Sequence, residues 1–115
     1  MTRGELVWRV AARGTTRIVA PVGRVDEASA TAFAERLSEE IEAALAAGET
    51  ALAIDLAEVD YMSSRGLRGL TLAQRRAGEA GIAITLARPN AMMREILAIS
   101  RYDKVFPVVD DIDPV

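Results

Sequence analysis

Two adjacent serines, Ser63 and Ser64, are the residues of this chain whose type and position could carry chemistry. They follow an apolar segment, 51–56, and a short loop, and they open an amphipathic pattern typical of a helix. A hydroxyl at a helix start can cap the backbone, act as a nucleophile or accept a phosphoryl group. The spacing alone favours capping, because serine is an ordinary residue at a helix start.

The nucleophile is the weakest of these hypotheses, because the chain of 115 residues contains neither histidine nor cysteine. Ser64 therefore has no histidine as a general base, and it lies in no Gly-x-Ser-x-Gly sequence. The same absence removes disulfides, thiol catalysis and the commonest transition-metal ligands. The composition argues against an enzyme, and we expect no metal and no cofactor.

The bulk properties narrow the possible partners and the location. A formal charge of −3 argues against a nucleic-acid partner, because phosphate binding needs a basic face. No apolar run approaches the about 20 residues that cross a bilayer, and the N-terminus lacks the apolar segment of a signal peptide. We therefore expect no direct membrane insertion and a cytoplasmic protein. The length predicts one domain, 1–115, with an acidic tail at about residues 110–115. Nothing in the sequence indicates an oligomeric state.

The pattern of apolar residues predicts the strands of the domain. A loosely alternating segment, a turn at Arg13-Gly14 and a second β-like segment indicate an N-terminal β-hairpin. Pro21 lacks an amide hydrogen and fits the second strand only at an edge or a strand end. Three later apolar segments are also typical of strands. The predicted strands cover residues 6–12, 15–22, 51–56, 82–86 and 105–109.

Three segments between these strands have the apolar spacing of amphipathic helices. The stripe of the first recurs every four residues, at Phe33, Leu37, Ile41 and Leu45. We expect Asp26 to cap this helix, Gly48 to end it, and Glu40 to lie off the stripe. The second helix follows Ser64, and the third is capped by Asn90. Alternation of this kind predicts an α/β fold, with a mixed sheet of four to five strands and helices packed on it.

The same segments resemble the sequence pattern of the STAS domain, the fold of bacterial anti-sigma factor antagonists. That pattern has a strand ending in Asp55-Leu56, an aromatic residue in the next loop (Tyr61), two small polar residues and Gly66-Leu67. The segment 23–26 is similar to the step before the family's first long helix, and 105–108 is similar to its last strand. The resemblance covers most of the chain and implies a single STAS-like domain.

The resemblance also implies a function. In that family the second small polar residue, Ser64 here (with Ser63 as the alternative), accepts a phosphoryl group from a kinase partner. It implies an anti-sigma factor antagonist that acts by partner switching, in which the unmodified form binds an anti-sigma factor serine kinase and releases a sigma factor. Phosphorylation reverses this binding, and a serine phosphatase restores it. Because the same fold serves other uses, the alternative is a non-catalytic docking subunit of a membrane transporter or sensory scaffold.

The predicted partner-binding surface surrounds the phosphate acceptor. It comprises Gly23, Arg24, Asp26, Tyr61, Met62, Ser63, Ser64, Arg65 and Arg68. By resemblance, the loop of Gly23, Arg24 and Asp26 lies near the phosphorylatable helix end. Arg65 departs from the small residue that is commoner in the family, and it is either a solvated cation or a counter-charge for phosphoserine that influences partner choice.

A phospho-aspartate receiver is a further alternative, in which Asp55 accepts the phosphoryl group and Lys104 takes the part of the late lysine. A receiver also needs an acidic pair near its first strand to hold magnesium. The first strand here ends in Ala11-Ala12-Arg13, and the early hairpin breaks the strictly alternating order of a receiver. We therefore rank this hypothesis well below the STAS one.

Overall fold

The computed structural model describes residues 6–111, which form six strands and three α-helices. The strands are β1 (Val7–Arg13), β2 (Thr16–Val25), β3 (Ala51–Asp55), β4 (Val59–Met62), β5 (Ala83–Ala87) and β6 (Val108–Val109). The helices are α1 (Ala30–Ala46), α2 (Ser64–Glu79) and α3 (Ala91–Ser100). The α/β class, the N-terminal hairpin and the alternation of helices and strands are confirmed. Of the predicted acidic tail, residues 112–115 lie outside the described residues.

The strands form one mixed sheet in the order β1-β2-β3-β5-β6, with β4 beside the far end of β2. β1 is antiparallel to β2, and the other pairs are parallel. The apolar pattern predicted at most five strands, because it places Tyr61 in a loop. In the structure Tyr61 pairs with Arg24 and Met62 pairs with Val25, so this short segment becomes strand β4 through its pairing with β2.

Pro21 lies where β2 changes its parallel neighbour. The first part of β2, 16–19, pairs with β3, and the last part, 23–25, pairs with β4. Pro21 stands between these parts, opposite Trp8 of β1. Its missing amide hydrogen therefore costs no bond toward β3 or β4. The expectation that Pro21 marks an edge or a strand end was wrong, because a strand that changes partners also leaves room for proline in its interior.

The core lies between the sheet and the helices, and α1 shows how a helix follows it. Phe33, Leu37 and Ile41 are fully buried, as the stripe predicted. Leu45, however, is 49% exposed, and Ala44 is buried in its place. Each step of four residues advances about 40° around an α-helix, so a stripe of this spacing has rotated away from the core by its fourth member.

The start of α1 corrects a second expectation. The helix begins at Ala30, after the N-cap residue Ser29, so Asp26 is not its cap. Asp26 instead closes the preceding turn, where its Oδ1 accepts a hydrogen bond from the amide of Ala28 at 3.0 Å. Aspartate and serine are both good N-caps, and the sequence does not show which of two such residues ends the turn. At the other end, Gly48 follows the helix with a φ of 75°, as predicted.

The C-terminal part of the fold contains a shorter last strand than the sequence predicted. Asn90 caps α3 as expected, because its Oδ1 accepts a hydrogen bond from the amide of Met93 at 2.9 Å. A 3₁₀ turn, Tyr102–Lys104, then follows the helix, and the amide of Phe106 donates to the carbonyl of Tyr102. Strand β6 begins only at Val108, so the prediction of a strand over 105–109 was wrong for its first three residues.

Candidate functional site

Ser63 uses its hydroxyl to hold the start of α2. It is the N-cap residue, and its Oγ accepts a hydrogen bond from the amide of Gly66 at 3.2 Å. Its own amide donates to the carbonyl of Val25 at 2.8 Å, which ties the helix start to the end of β2. The residue is only 9% exposed. Ser63 is therefore engaged in the fold on both its backbone and its side chain.

Ser64 differs from its neighbour in both respects. It is the first residue of α2 and is exposed. Its hydroxyl makes no hydrogen bond to another of residues 6–111. The first amides of a helix lack partners within the helix, and the positive end of the helix dipole lies there. An anionic group on this oxygen would meet a favourable electrostatic environment.

The floor of the site is tightly packed beneath Gly66. A Cβ atom at this position would lie 2.6 Å from the Cγ of Met62 and 2.7 Å from Cγ1 of Val25. Real Cβ atoms do not approach so closely, so only glycine lets the first turn of α2 rest on β2 and β4. Met62 is 2% exposed, which corrects its predicted place on the partner-binding surface. Its side chain supports the site from below.

Gly23 shapes the last part of β2, before the chain turns toward α1. Its φ of 128° lies in the region that side chains rarely adopt, and a Cβ there would lie 3.1 Å from Leu6. The amide of Gly23 donates to the carbonyl of Glu58 at 3.0 Å, and the pairing of β2 with β4 shifts its register directly after it. This glycine therefore sets the direction of the residues that follow it. They form part of the rim of the site, which is the edge of the surface around Ser64.

Arg24 and Asp26 stand at this rim with Tyr61. The guanidinium of Arg24 lies 4.3 Å from the centre of the Tyr61 ring, and its Nε lies 3.4 Å from Oδ2 of Asp26. Ser29 braces the loop from inside, since its hydroxyl donates to the carbonyl of Arg24 at 2.7 Å. The structure thus brings three of the predicted partner-binding residues together at the ends of β2 and β4.

Arg65 and Arg68 extend the rim along α2. The Nε of Arg65 lies 3.4 Å from Oε1 of Glu27, and both side chains are well exposed, at 60% and 72%. Sequence reasoning missed Glu27, although an acidic residue beside Asp26 was a usable signal. Arg68 is exposed and has no ion pair within the described part of the chain. Arg65, in contrast, has a carboxylate partner in Glu27, but their contact is loose and hydrated because both side chains are exposed.

A shallow groove of about 380 Å³ runs from this rim between α1 and α2. Small residues keep its floor low: a Cβ on Gly69 would lie 3.4 Å from the side chains of Ala34 and Phe33. Its walls carry Arg65 and Arg68 on one helix and Glu35 on the other. The groove continues the rim as a surface of mixed charge that a partner protein could cover.

Asp55, the acceptor in the receiver hypothesis, is occupied by other contacts. It is 6% exposed, and Arg88 donates to both of its carboxylate oxygens, at 3.2 and 2.7 Å. Its Oδ1 also accepts the amide of Ala57 at 3.1 Å. This hydrogen bonding to Asp55 raises the pKa of Arg88 above its ordinary value, so the guanidinium stays charged. Both oxygens are therefore engaged in the fold.

Two properties of residues 6–111 bear on other kinds of site. No group of three or more acidic side chains in this range is placed to hold a metal ion. Likewise, no helix in the range combines the length and the apolar character that crossing a bilayer requires.

Comparison with known proteins places this geometry in a family. The family described as "Mlab, STAS domain" matches residues 8–110. BtrV of Bordetella bronchiseptica, named as an anti-sigma factor antagonist, is 32% identical over 80 residues, which cover 70% of this chain and 69% of BtrV.

Solved structures agree with this assignment. A crystal structure of an anti-sigma factor antagonist from Mycobacterium paratuberculosis has a TM-score of 0.73 and 26% identity, and the match covers 97% of this chain and 92% of that one. SpoIIAA of Bacillus in its phosphorylated form has a TM-score of 0.59 and 18% identity, with 89% and 90% covered, which shows the same fold. The chain belongs to the STAS-domain family of anti-sigma factor antagonists.

Proposed function

We propose that this chain acts by partner switching and that Ser64 is its phosphate acceptor. The unmodified form binds an anti-sigma factor that is also a serine kinase, and so frees a sigma factor for transcription. The kinase transfers the γ-phosphoryl group of ATP to the Ser64 hydroxyl, which loses its proton, and ADP leaves. The modified protein then releases the kinase, and a serine phosphatase restores the hydroxyl by hydrolysis. This role places the chain in the cytoplasm.

The observation that carries the proposal is that the two serines differ in burial and in the hydrogen bonds of their hydroxyl groups. Ser63 is buried and caps α2, whereas Ser64 is exposed and its hydroxyl makes no hydrogen bond within residues 6–111. A kinase needs an accessible hydroxyl whose modification does not break the fold. Ser64 meets both conditions, and Ser63 meets neither.

The charge added at Ser64 explains how binding would be reversed. A phosphoserine carries about −1.5 to −2 charges near neutral pH and three acceptor oxygens. At the start of α2 these oxygens face unpaired amides, so the fold remains intact. A partner that packs over the helix end loses its fit, and an acidic surface on that partner is repelled at a cost of several kcal/mol. The arginines of the rim, Arg24, Arg65 and Arg68, form the surface on which this change of charge would alter the binding of a partner.

The proposed role is non-catalytic. The full sequence contains no histidine and no cysteine, so the usual general base for a serine nucleophile is missing. The same site therefore suits a substrate of a kinase better than an enzyme. Membership of a family of anti-sigma factor antagonists supports an anti-sigma factor as the partner. SpoIIAA, which has the same fold, has been solved in a phosphorylated form, and this supports modification.

Phosphorylation with purified kinases tests the proposal directly. The protein is incubated with ATP and each serine kinase of the anti-sigma type from the same genome, and mass spectrometry locates the phosphate. We expect phosphate on Ser64, none in the Ser64→Ala variant, and continued modification of the matched Ser63→Ala variant. Phosphate on Asp55 would support the receiver, and phosphate on neither residue would leave the docking subunit as the better hypothesis.

Binding measurements test the switch itself. Ser64→Ala should bind the kinase in the presence of ATP without release, because only a hydroxyl is lost. Ser64→Asp should bind more weakly than the unmodified protein, because it adds part of the charge of a phosphate. A folded Ser64→Ala protein that does not bind would show that the hydroxyl is itself a contact, and the switch model would then be wrong.

A further inference from the structure

Helix α2 presents an unpaired arginine one turn beyond Ser64. Arg68 is exposed, and its guanidinium forms no ion pair or hydrogen bond with another of residues 6–111. It lies four residues after Ser64, so the two side chains leave the helix only about 40° apart, with their Cβ atoms about 6 Å from each other. Long side chains on a helix lean toward its N-terminus, which directs Arg68 over the turn that begins at Ser64.

Arg65, the other arginine of the first turn, points elsewhere. It is next to Ser64 in the sequence, and successive residues of a helix project about 100° apart. Its Nε lies 3.4 Å from Oε1 of Glu27, a residue that precedes α1, so its guanidinium is turned toward α1. The two arginines that follow the acceptor therefore differ in direction and in whether they already have a carboxylate partner.

We propose that Arg68 is the residue that holds the phosphate of Ser64 within the molecule. This inference rests on the proposed phosphorylation of Ser64 and names the counter-charge, a role that the sequence left open for Arg65. A phosphate dianion and a guanidinium form charge-assisted hydrogen bonds, often two in parallel. An acidic group four residues before a basic one is also the more favourable order on a helix.

The contact changes the surface around the acceptor in two ways at once. Before modification, Arg68 is an unpaired cation on the wall of the groove between α1 and α2, which also carries Glu35. After modification, the phosphate engages this cation. The surface then gains negative charge and also loses the arginine that an acidic partner would contact. Release of such a partner therefore does not depend on repulsion alone.

Phosphoserine placed at position 64 during translation tests the contact without a kinase. The full chain with this residue is titrated by ³¹P NMR, which follows the second ionisation of the phosphate near pH 6. Arg68 stabilises the dianion, so it lowers the pKa of the phosphoserine. We expect Arg68→Gln to raise that pKa, with proton binding at least about twofold tighter, the size of a helical ion pair between residues four apart. Arg68→Lys should keep part of the effect, because an ammonium retains the charge but loses the paired hydrogen bonds.

Two matched controls separate this contact from the general charge of α2. Arg75→Gln removes an exposed arginine about 16 Å farther along the helix than Ser64, beyond the about 10 Å over which 0.1 M salt screens charges. It should leave the pKa of the phosphoserine unchanged, and Arg65→Gln should move it by less than half as much as Arg68→Gln. The other charged residues before and beside the start of α2 are the same in every variant; they are Arg24, Asp26, Glu27 and Asp60.

The contact and the proposed switch can fail separately. Circular dichroism shows that each variant is folded, and an unchanged pKa in Arg68→Gln would then overturn the proposal. An equal or larger shift in Arg65→Gln would overturn it too, because the role would pass to Arg65. Neither result would contradict the partner switch, which would then act by repulsion. Conversely, kinases that leave Ser64 unmodified would contradict the switch without changing the titration, because the phosphate is placed there during translation.

Discussion

Charged residues occupy two regions of this fold in opposite ways. The buried cluster, formed by Arg17, Arg36, Glu40 and Glu49, joins β2, α1 and the segment before β3 through contacts of 2.7 to 2.9 Å. The rim pairs, Arg24 with Asp26 and Arg65 with Glu27, lie beside the start of α2 at 3.4 Å. The same residue types therefore fix the structure in one place and stay exposed and loosely paired in the other.

Exposure accounts for the difference. In the buried cluster the side chains of Arg17, Glu40 and Glu49 are only 10 to 17% exposed, so each charge depends on its partners to replace water. Hydrogen bonding to Glu49 raises the pKa of Arg17 above its ordinary value, so this guanidinium stays charged. In the rim pair of Arg65 and Glu27 both side chains are well hydrated, and water competes for every contact.

Loss of a charge from the buried cluster should have the largest effect. Arg17→Ala removes two hydrogen-bonded ion pairs at once and leaves Glu49 without a partner in a poorly hydrated site. We expect the free energy of unfolding to fall by about 3 kcal/mol, at the low end for a broken buried pair because some water reaches the cluster. Urea denaturation at neutral pH measures this value.

Arg13→Ala is the matched control for that experiment. Arg13 is exposed at the end of β1 and has no ion pair within residues 6–111. Its loss should change the free energy of unfolding by no more than about 0.5 kcal/mol. Equal effects of the two substitutions would show that the buried cluster is as hydrated as the rim, and the contrast between the regions would be lost.

The second prediction concerns the packing of α2 on β2 and β4. This packing holds the rim in place, because the exposed ion pairs of the rim contribute little to stability. Gly66→Ala puts a methyl group within 2.6 to 2.7 Å of Met62 and Val25. The gain in helix propensity, about 1 kcal/mol, is outweighed by overpacking of about 1 to 3 kcal/mol, so we expect a net loss of stability of about 1 kcal/mol.

Gly78→Ala provides a control of opposite sign. Gly78 lies in the same helix, and a Cβ there meets no atom within 4 Å. We therefore expect a gain of about 0.5 to 1 kcal/mol from helix propensity alone. Thermal unfolding of both variants measures these changes in stability. Stabilisation by Gly66→Ala would mean that a methyl group fits between α2 and the strands β2 and β4.

The difference between the regions also explains what the sequence could predict. Local patterns located Ser63, Ser64, Asn90 and the buried members of the α1 stripe, because caps and apolar spacing are properties of neighbouring residues. Glu40 fell among the polar residues of that pattern, yet it is 8% exposed. Its burial depends on Arg17, which lies 23 residues earlier, and no local pattern contains that information.

Long-range pairing limited the other predictions in the same way. Strand β4 exists because Tyr61 and Met62 pair with β2, and its four residues alone do not differ from a loop. The Asp26 cap failed for the opposite reason, since two local signals competed within one turn. For the site, the sequence located the exposed Ser64 and most of the rim, but it did not show that Met62 lies beneath the surface or that Glu27 partners Arg65.

The third prediction separates the two serines by stability. Ser63→Ala removes the oxygen that accepts the amide of Gly66 and should cost about 1 kcal/mol, the usual value of an N-cap. Ser64→Ala should change the free energy of unfolding by less than about 0.5 kcal/mol, because its hydroxyl supports nothing in the fold. Parallel urea titrations compare the two variants. Equal losses would assign both hydroxyls to the helix start and remove the distinction on which the choice of Ser64 depends.

The smallest effect belongs to the rim pair itself. In a double-mutant cycle, Glu27→Gln and Arg65→Gln should show a coupling free energy below about 0.5 kcal/mol, which high salt abolishes. The same cycle on Arg17 and Glu49 should give more than about 1 kcal/mol and resist salt, because burial protects that pair from screening. A strong coupling between Glu27 and Arg65 would mean that a partner or a phosphate has to break a stable contact before it can use Arg65. A weak coupling would leave Arg65 free to release Glu27 and to pair with another anionic group near the start of α2.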